Sequence, residues 1–352
     1  MRFVLYNQWE RLPKSAETLF SQAEQSSFFN SRIWLESLST YALTEQQSLL
    51  LACVVEDESV LAILPLLNHT QGGLSALSNH YNTLYTLLIT NHSEQDNVLR
   101  CLADGLSDLL AQSAHQAIQL EPVDAEDGLL LQFWQVMESK GFQRYPYFRF
   151  YNWVHQVQEQ SFDHYMADRP AKLRNTIIRK RRKLEREHGY DIRLYKDADT
   201  DISLLNQAMS DYHSIIETSW KTSDLFAHFT PELVKKMSQR GWLRLAILYT
   251  HNQPIAAQIW FVLHKKANIY RLAYDPDWKK YSPGSILTEY LMHYVIDTDK
   301  VTEIDFLTGN ERYKQDWMTI RRERLGVRLA KPLKNNNNLI RKLYLRIMQS
   351  LK

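Results

Sequence analysis

The chain has only two cysteines in 352 residues. Cys53 lies within the apolar run 49–55 and Cys101 within a helical pattern, so neither reads as a disulfide partner, and a reducing cytosol fits best. Long hydrophobic runs are also missing. The longest, 286–296, is interrupted by Glu289 and His293 and is too short and too polar to span a bilayer. Residues 1–10 mix Arg2, Asn7, Gln8 and Glu10 among apolar ones, and no cationic start, apolar stretch and small-residue cleavage site of a secretory signal follow. The sequence therefore predicts a cytoplasmic protein, soluble or at most peripheral to a membrane. A formal net charge of +2 gives no global attraction to nucleic acid, although basic residues cluster locally. The histidines are scattered, with no HExxH and no paired Cys/His spacing, so no metal site is expected. No Gly-x-Ser-x-Gly elbow or Walker loop occurs, so hydrolase and NTPase readings lack their defining residues.

What is present is apolar and aromatic material for a sizeable core, 44% and 12% of residues, in a chain long enough for two domains. The same order of elements occurs twice, with little residue identity. Apolar runs 49–55 and 60–67 flank the polar turn Glu56-Asp57-Glu58-Ser59, and runs 243–249 and 255–263 flank Thr250-His251-Asn252-Gln253. Both pairs read as β-hairpins. A further strand follows each hairpin, at 74–77 and 269–274. Then come a helix (95–113; 285–296), a short strand (117–120; 303–307), and a closing helix and strand (129–140 with 147–154; 312–318 with 324–329). The fold class is therefore α/β with mixed α+β sheets, in two tandem units spanning 1–155 and 156–334. Such units predict an extended pair of sheets with a ligand cleft between or beside them. Beyond them, Asn335 to Asn338 form a polar linker, and 339–352 a basic amphipathic helix that is a candidate for contact with an anionic membrane or a partner, the alternative being a packed or frayed terminal helix.

Between the halves lies the most basic segment, Lys172 to Arg186. Leu173, Ile177 and Leu184 fall near one face at helical spacing, so it reads as an amphipathic helix with a cationic outer surface, stopped at His188-Gly189. Such a surface is either a solvated helix face or a docking site for an anionic acceptor or carrier, with Arg174 a candidate contact. A strand at 191–195 and a helix at 202–219 follow, ending near Glu217, Trp220 and Lys221. Glu217 is a candidate general base, since an amine must lose a proton before it attacks a thioester; the alternative is an ordinary exposed glutamate.

The most informative stretch is 269–317. A strand carrying Leu272 and Tyr274 leads through Lys279 and Lys280 into Tyr281-Ser282-Pro283-Gly284-Ser285, then into an apolar helix and Asp305-Phe306-Leu307-Thr308-Gly309. A tight turn that opens a helix leaves backbone N–H groups unpaired and aimed at one point, a means of holding a diphosphate such as that of coenzyme A. Alone, Ser-Pro-Gly before a helix is a common turn, because Pro fixes φ and Gly permits positive φ. The strand, turn and helix in this order raise its weight. The first copy enters its helix through Thr90-Asn91-His92-Ser93, which lacks glycine, so the first half is expected to be structural or to bind acceptor and the second to bind donor.

On these residues, with Tyr313, Lys314 and Trp317, the segment from about Phe162 to Arg328 resembles the CelD-like branch of the GNAT acyltransferase superfamily, whose members are often linked to cellulose, capsule or other exopolysaccharide production. The tandem architecture also resembles the Fem-type peptidyltransferases, which use aminoacyl-tRNA. The resemblance implies two GNAT-like domains, an acyl-CoA co-substrate with its pantetheine arm along 269–274, and its diphosphate on the backbone of 281–285. It further implies direct attack by an amine of an amino sugar or related envelope precursor. Asp305 then orients the acceptor or accepts its proton, Tyr313 protonates the leaving thiolate, and Lys314, Arg174 and Trp220 contact the acceptor. The loop departs from the usual GNAT pattern of an Arg or Gln with closely spaced glycines, having only Gly284. Asp305 as a turn cap and Tyr313 as a packed aromatic are the structural alternatives. A non-catalytic module that binds glycan or partner is a third reading.

Overall fold

Residues 1–90, 93–112, 117–196, 201–219 and 225–332 are described in a computed structural model. The first half contains β1 (Arg2–Tyr6), α1 (Ala16–Ala23), α2 (Arg32–Tyr41), β2 (Gln47–Glu56), β3 (Ser59–His69), β4 (Leu74–Ala76), β5 (Leu88–Ile89), α3 (Gln95–Ala111), β6 (Ala117–Asp124), α4 (Gly128–Ser139) and β7 (Gln143–Gln156). After two inserted helices, α5 (Phe162–Ala167) and α6 (Ala171–His188), the second half repeats the order. It has β8 (Asp191–Tyr195), α7 (Ile202–Thr218), α8 (Phe229–Gln239), β9 (Leu243–Thr250), β10 (Gln253–Leu263), β11 (Lys266–Tyr274), α9 (Pro283–Asp297), β12 (Glu303–Thr308), α10 (Arg312–Trp317) and β13 (Ile320–Ala330). The linker and helix expected beyond residue 334 lie outside the described residues, as does Trp220.

Local chemistry sets these boundaries. The β9–β10 hairpin turns through His251 and Asn252, both left-handed at φ 49° and 60°, the pair of angles that matches the twist of a two-residue hairpin. Asp127 caps α4 by accepting the N–H groups of Leu129 and Leu130, and Ser31 caps α2 through Trp34 N–H. Gly189 ends α6 at φ 68°, as the sequence predicts.

The strands form one 13-stranded sheet in the order β1-β2-β3-β4-β6-β13-β7-β12-β11-β10-β9-β8, with β5 paired to β3. This corrects the expectation of a pair of sheets. The closing strands are exchanged: β13, from the second half, lies between β6 and β7 of the first, and β7 lies between β13 and β12. Each half thus completes the other's sheet, and an eleven-pair register, Ile320↔Val154 to Ala330↔Gln143, fuses them.

Three apolar cores lie on this sheet. One, with Leu102, Leu106, Phe133 and Trp134, sits under α3 and α4. Another, with Ile177, Leu184, Leu287, Leu291 and Trp317, sits under α6, α9 and α10. The third belongs to both halves: Trp34 of α2 meets Phe28, Phe29, Phe229 and Tyr270 edge-on at centroid distances of 5.2, 4.8, 5.5 and 6.0 Å. No helix among the described residues is long and apolar enough to cross a membrane, and no group of three or more His, Cys, Asp or Glu stands ready for a metal ion. Cys53 and Cys101 are both free thiols.

Candidate functional site

β11 and β12 are parallel neighbours only from Lys266–Asn268 to Glu303–Asp305, and beyond this pairing they part. The start of α9 stands at the far end of β11, and Asp305 stands where the strands separate. On β12, Ile304 and Phe306 enter the core under α9, so strand alternation turns Asp305 to the other face, toward the core shared by the halves. Leu307 lies in that shared core.

Leu307 adopts φ 52°, a left-handed conformation unusual for a bulky residue, and the β12–β7 register jumps between Asp305 and Thr308. Three bonds hold this bulge. Leu307 N–H donates to Asp305 Oδ1 at 2.7 Å, and Asn152 Nδ2 donates both to Asp305 Oδ1 at 2.5 Å and to Leu307 O at 3.2 Å. Asn152 Oδ1 accepts from Arg324 Nη2 at 3.0 Å, and Arg324 Nη1 donates to Asp124 Oδ2 at 2.7 Å. Asp305, Asn152, Arg324 and Asp124 thereby form a polar row across β12, β7, β13 and β6. Burial raises the Asp305 carboxyl above the usual carboxylate range, offset by the Leu307 N–H, Arg324 and Asn152, while Glu303 adds to the rise. Its second oxygen, Oδ2, has no hydrogen-bond partner among the described residues.

The turn before α9 differs from the sequence expectation in one respect. Its left-handed residue is Ser282, at φ 55° and ψ 49°, not Gly284. Ser282 N–H is taken by Lys279 O and Ser285 N–H by Ser282 O, both at 3.0 Å, and Pro283 has none, so among the described residues Gly284 N–H is the one donor from 282 to 285 without a partner, rather than one of several. A Cβ on Gly284 would lie 3.4 Å from the Tyr274 ring, so glycine there keeps the end of β11 open to the helix terminus. Leu272 and Tyr274 are half-buried along β11. Tyr281 is buried instead of presented: its hydroxyl donates to Glu187 at 2.9 Å and lies 2.7 Å from His188 Nε2, and Lys183 and Lys280 stand 5.3 and 4.9 Å from its ring.

Tyr313 is 40% exposed, with its ring 6.3 Å from Phe306, so it and Asp305 approach β12 from opposite faces. Lys314 does not face an acceptor as expected. It is 4% exposed, donates to Phe306 O and Thr308 O, and pairs with Glu311 at 3.3 Å, closing the turn from β12 into α10. Burial lowers its pKa, offset by Glu311 and by the Asp305 carboxylate.

Glu217 is exposed in the last turn of α7. Arg174 lies apart from Asp305. It lines a cavity of about 420 Å³ between α5, α6, β8 and α9, with Ile178, Arg181, Tyr190 and Glu289. The basic helix buries Ile177 and Leu184 as its pattern predicts, and several of its cations are engaged within the protein. Lys180 reaches Lys280 O, and Arg181 meets Glu289 at 2.7 Å. Asn152 and Arg324 escaped the sequence reading. The only signal for Asn152 was an amide within the aromatic-rich β7, and Arg324 is one of four arginines on β13, so nothing in its own strand set it apart.

Residues 171–315 match the family profile described as Acetyltransferase (GNAT) domain. No curated protein matched the sequence. Among solved structures, FemX is similar over 99% of this chain and 100% of its own, at 12% identity and a TM-score of 0.60. L-PGS from Bacillus licheniformis is similar over 96% of each chain, at 10% identity and a TM-score of 0.54. A tandem GNAT protein from the clavulanic acid biosynthesis pathway is similar over 95% of this chain and 99% of its own, at 11% identity and a TM-score of 0.50. Residues 171–315 thus match a GNAT acetyltransferase domain, in a chain whose mixed α/β fold is similar to that of tandem GNAT proteins.

Proposed function

We propose that the protein is an N-acyltransferase that moves an acyl group from acyl-CoA to an amine, the acceptor being an amino sugar or another envelope or exopolysaccharide precursor. The observation that carries this reading is the parting of β11 and β12 beyond the Asn268↔Asp305 pair, with the start of α9 at the far end of β11, where a Cβ on Gly284 would lie 3.4 Å from the Tyr274 ring. Gly284 N–H and the exposed Lys279 and Lys280 hold the donor diphosphate, and the pantetheine follows Leu272 and Tyr274. The acceptor nitrogen attacks the thioester carbonyl carbon while Asp305 Oδ2 takes its proton. The tetrahedral intermediate collapses with cleavage of the C–S bond, Tyr313 protonates the thiolate, and an amide and a free thiol leave. The first half is structural or binds the acceptor. In the parallel pairing of β4 with β6, Ser75↔Gln119 takes the place of Asn268↔Asp305, so a neutral amide stands where the second half has a carboxylate. The domain limits near residues 155 and 334 and a cytoplasmic location belong to this reading.

An aminoacyl-tRNA donor is the second reading, favoured by exposed Lys172, Arg179 and Arg182 on α6 and by the Fem-type resemblance. Steeply salt-dependent tRNA binding, weakened by charge removal at those three residues, would select it.

Thiol release from acetyl-CoA with glucosamine as the probe amine tests the first reading. Asp305→Asn is expected to lower turnover by at least 100-fold and Tyr313→Phe by about 10-fold, in line with general acid–base contributions. Full activity in both variants contradicts it, and inertness of the wild type with either donor points to a non-catalytic glycan- or partner-binding module.

A further inference from the structure

We propose that Asn152 and Arg324, on the two exchanged strands, are positioning residues for Asp305, so that the site of the second half is completed by a residue of the first. This rests on the reading of Asp305 as the proton acceptor. Asn152 has no exposed surface and Arg324 only 3%; Asn152 bonds the Asp305 carboxylate directly and Arg324 acts on it through Asn152.

The geometry divides the work. Asn152 Nδ2 and Leu307 N–H occupy Oδ1 together, which fixes the carboxylate plane and leaves Oδ2 without a hydrogen-bond partner among the described residues. The amide has only one orientation that satisfies both neighbours, since its oxygen must accept from Arg324 while its nitrogen donates to Asp305. The guanidinium therefore sets the amide and the amide sets the carboxylate. Asp124 completes the row by holding Arg324 Nη1. The row runs through all four strands of the seam, so the strand exchange that joins the halves also builds the seat of the acid.

The charged groups around Asp305 are Glu303 on its own strand, Arg322 and Arg324 on β13, Asp124 on β6, and Glu311 and Lys314 on α10; β7 contributes the neutral Asn152. Arg322 is committed to Glu303 at 3.0 Å, and Lys314, held by carbonyls and Glu311, feels Asp305 only through space, whereas Arg324 is coupled to Asp305 through the hydrogen-bonded Asn152 bridge. Removing the bridge or its cation must raise the pH at which Asp305 ionises.

The test uses the full chain labelled with ¹³C at the aspartate carboxyls, with the Asp305 resonance assigned from Asp305→Asn. In Asn152→Leu and Arg324→Met the Asp305 titration midpoint is expected to move up by about one pH unit, whereas Arg324→Lys, which keeps the charge, stays close to wild type. Turnover of acetyl-CoA with glucosamine should shift its acidic limb upward by the same amount and recover at alkaline pH, which a merely structural defect would not do. Unchanged titration in folded Asn152→Leu and Arg324→Met, checked by circular dichroism, overturns the proposal. If the midpoints shift while Asp305→Asn remains active, the seating stands as an electrostatic fact but both the positioning role and the catalytic reading of Asp305 are refuted. An inactive Asp305→Asn with unshifted midpoints removes this inference alone.

Discussion

Gly326 on β13 lies directly beneath the ring of Tyr147 on β7, so closely that a Cβ at position 326 would overlap the ring. The ring cannot swing away freely. Its hydroxyl donates to Glu121 and accepts from Gln119 Nε2 at 2.6 Å. Both residues belong to exchanged strands, so the contact reports on the seam between the halves.

Gly326→Ala should therefore displace Tyr147 and break those bonds, at a cost of about 1–3 kcal/mol. Calorimetric unfolding checks it. The expected result is a lower Tm with a single transition retained, and an unchanged Tm would mean that the ring relocates without cost. The companion variant Tyr147→Ala with Gly326→Ala should recover part of the loss, because the overlap is gone.

Trp34 tests the joint core. It is fully buried between Phe229 of the second half and Phe28 and Phe29 of the first, and its indole N–H has no hydrogen-bond partner among the described residues. Trp34→Ala is predicted to cost about 3–5 kcal/mol. Trp34→Phe should cost less, since it removes an unsatisfied buried donor along with the lost area. The two halves share this core, so denaturant unfolding followed by near-UV and far-UV dichroism should coincide in both variants. Separate transitions would contradict a shared core.

The fold was legible where local periodicity decides structure. Both hairpins, α3, α4, α9 and the basic α6 fall within a few residues of their sequence positions, because alternation or a 3.6-residue stripe marks each. β1, α1, α2 and α8 were not anticipated. α1 has eight residues and only Ala16, Leu19 and Phe20 buried, too few to establish a helical stripe before the tertiary partner is known. The exchange of β7 and β13 was not legible either, since a strand's own pattern does not name its neighbour. At the site, Asp305 and the turn before α9 stood out, yet the left-handed residue is Ser282 and the committed cation is Lys314. Both follow from packing: the buried start of α9 fixes the turn, and the bulge at Leu307 creates the carbonyls that Lys314 satisfies.

His155 gives a pH prediction of determined sign. It is 5% exposed, its Nδ1 lies 3.1 Å from Thr319 Oγ1, and its Nε2 lies 2.9 Å from the Gln160 amide nitrogen, an arrangement that suits the neutral ring. Burial, with Arg169 adding, pushes its pKa down from 6.5 to about 4. As pH falls through 6.5 the unfolded chain takes up a proton that the folded chain refuses until about pH 4, so stability is lost across that window. The loss is on the order of 3 kcal/mol. His155→Gln should flatten the fall of Tm over this range, and an equal slope in the variant would assign the acid sensitivity to other groups.

The donor site is most directly tested by calorimetric titration of the whole chain with acetyl-CoA, wild type beside Gly284→Asp. The added side chain meets the Tyr274 ring at ordinary contact distance and should leave the fold intact, while its carboxylate opposes a diphosphate at the one free N–H of the turn. Saturable binding by the wild type, weakened at least tenfold in Gly284→Asp, is the predicted result; no binding by the wild type, or equal binding by both, would contradict a donor site at the start of α9.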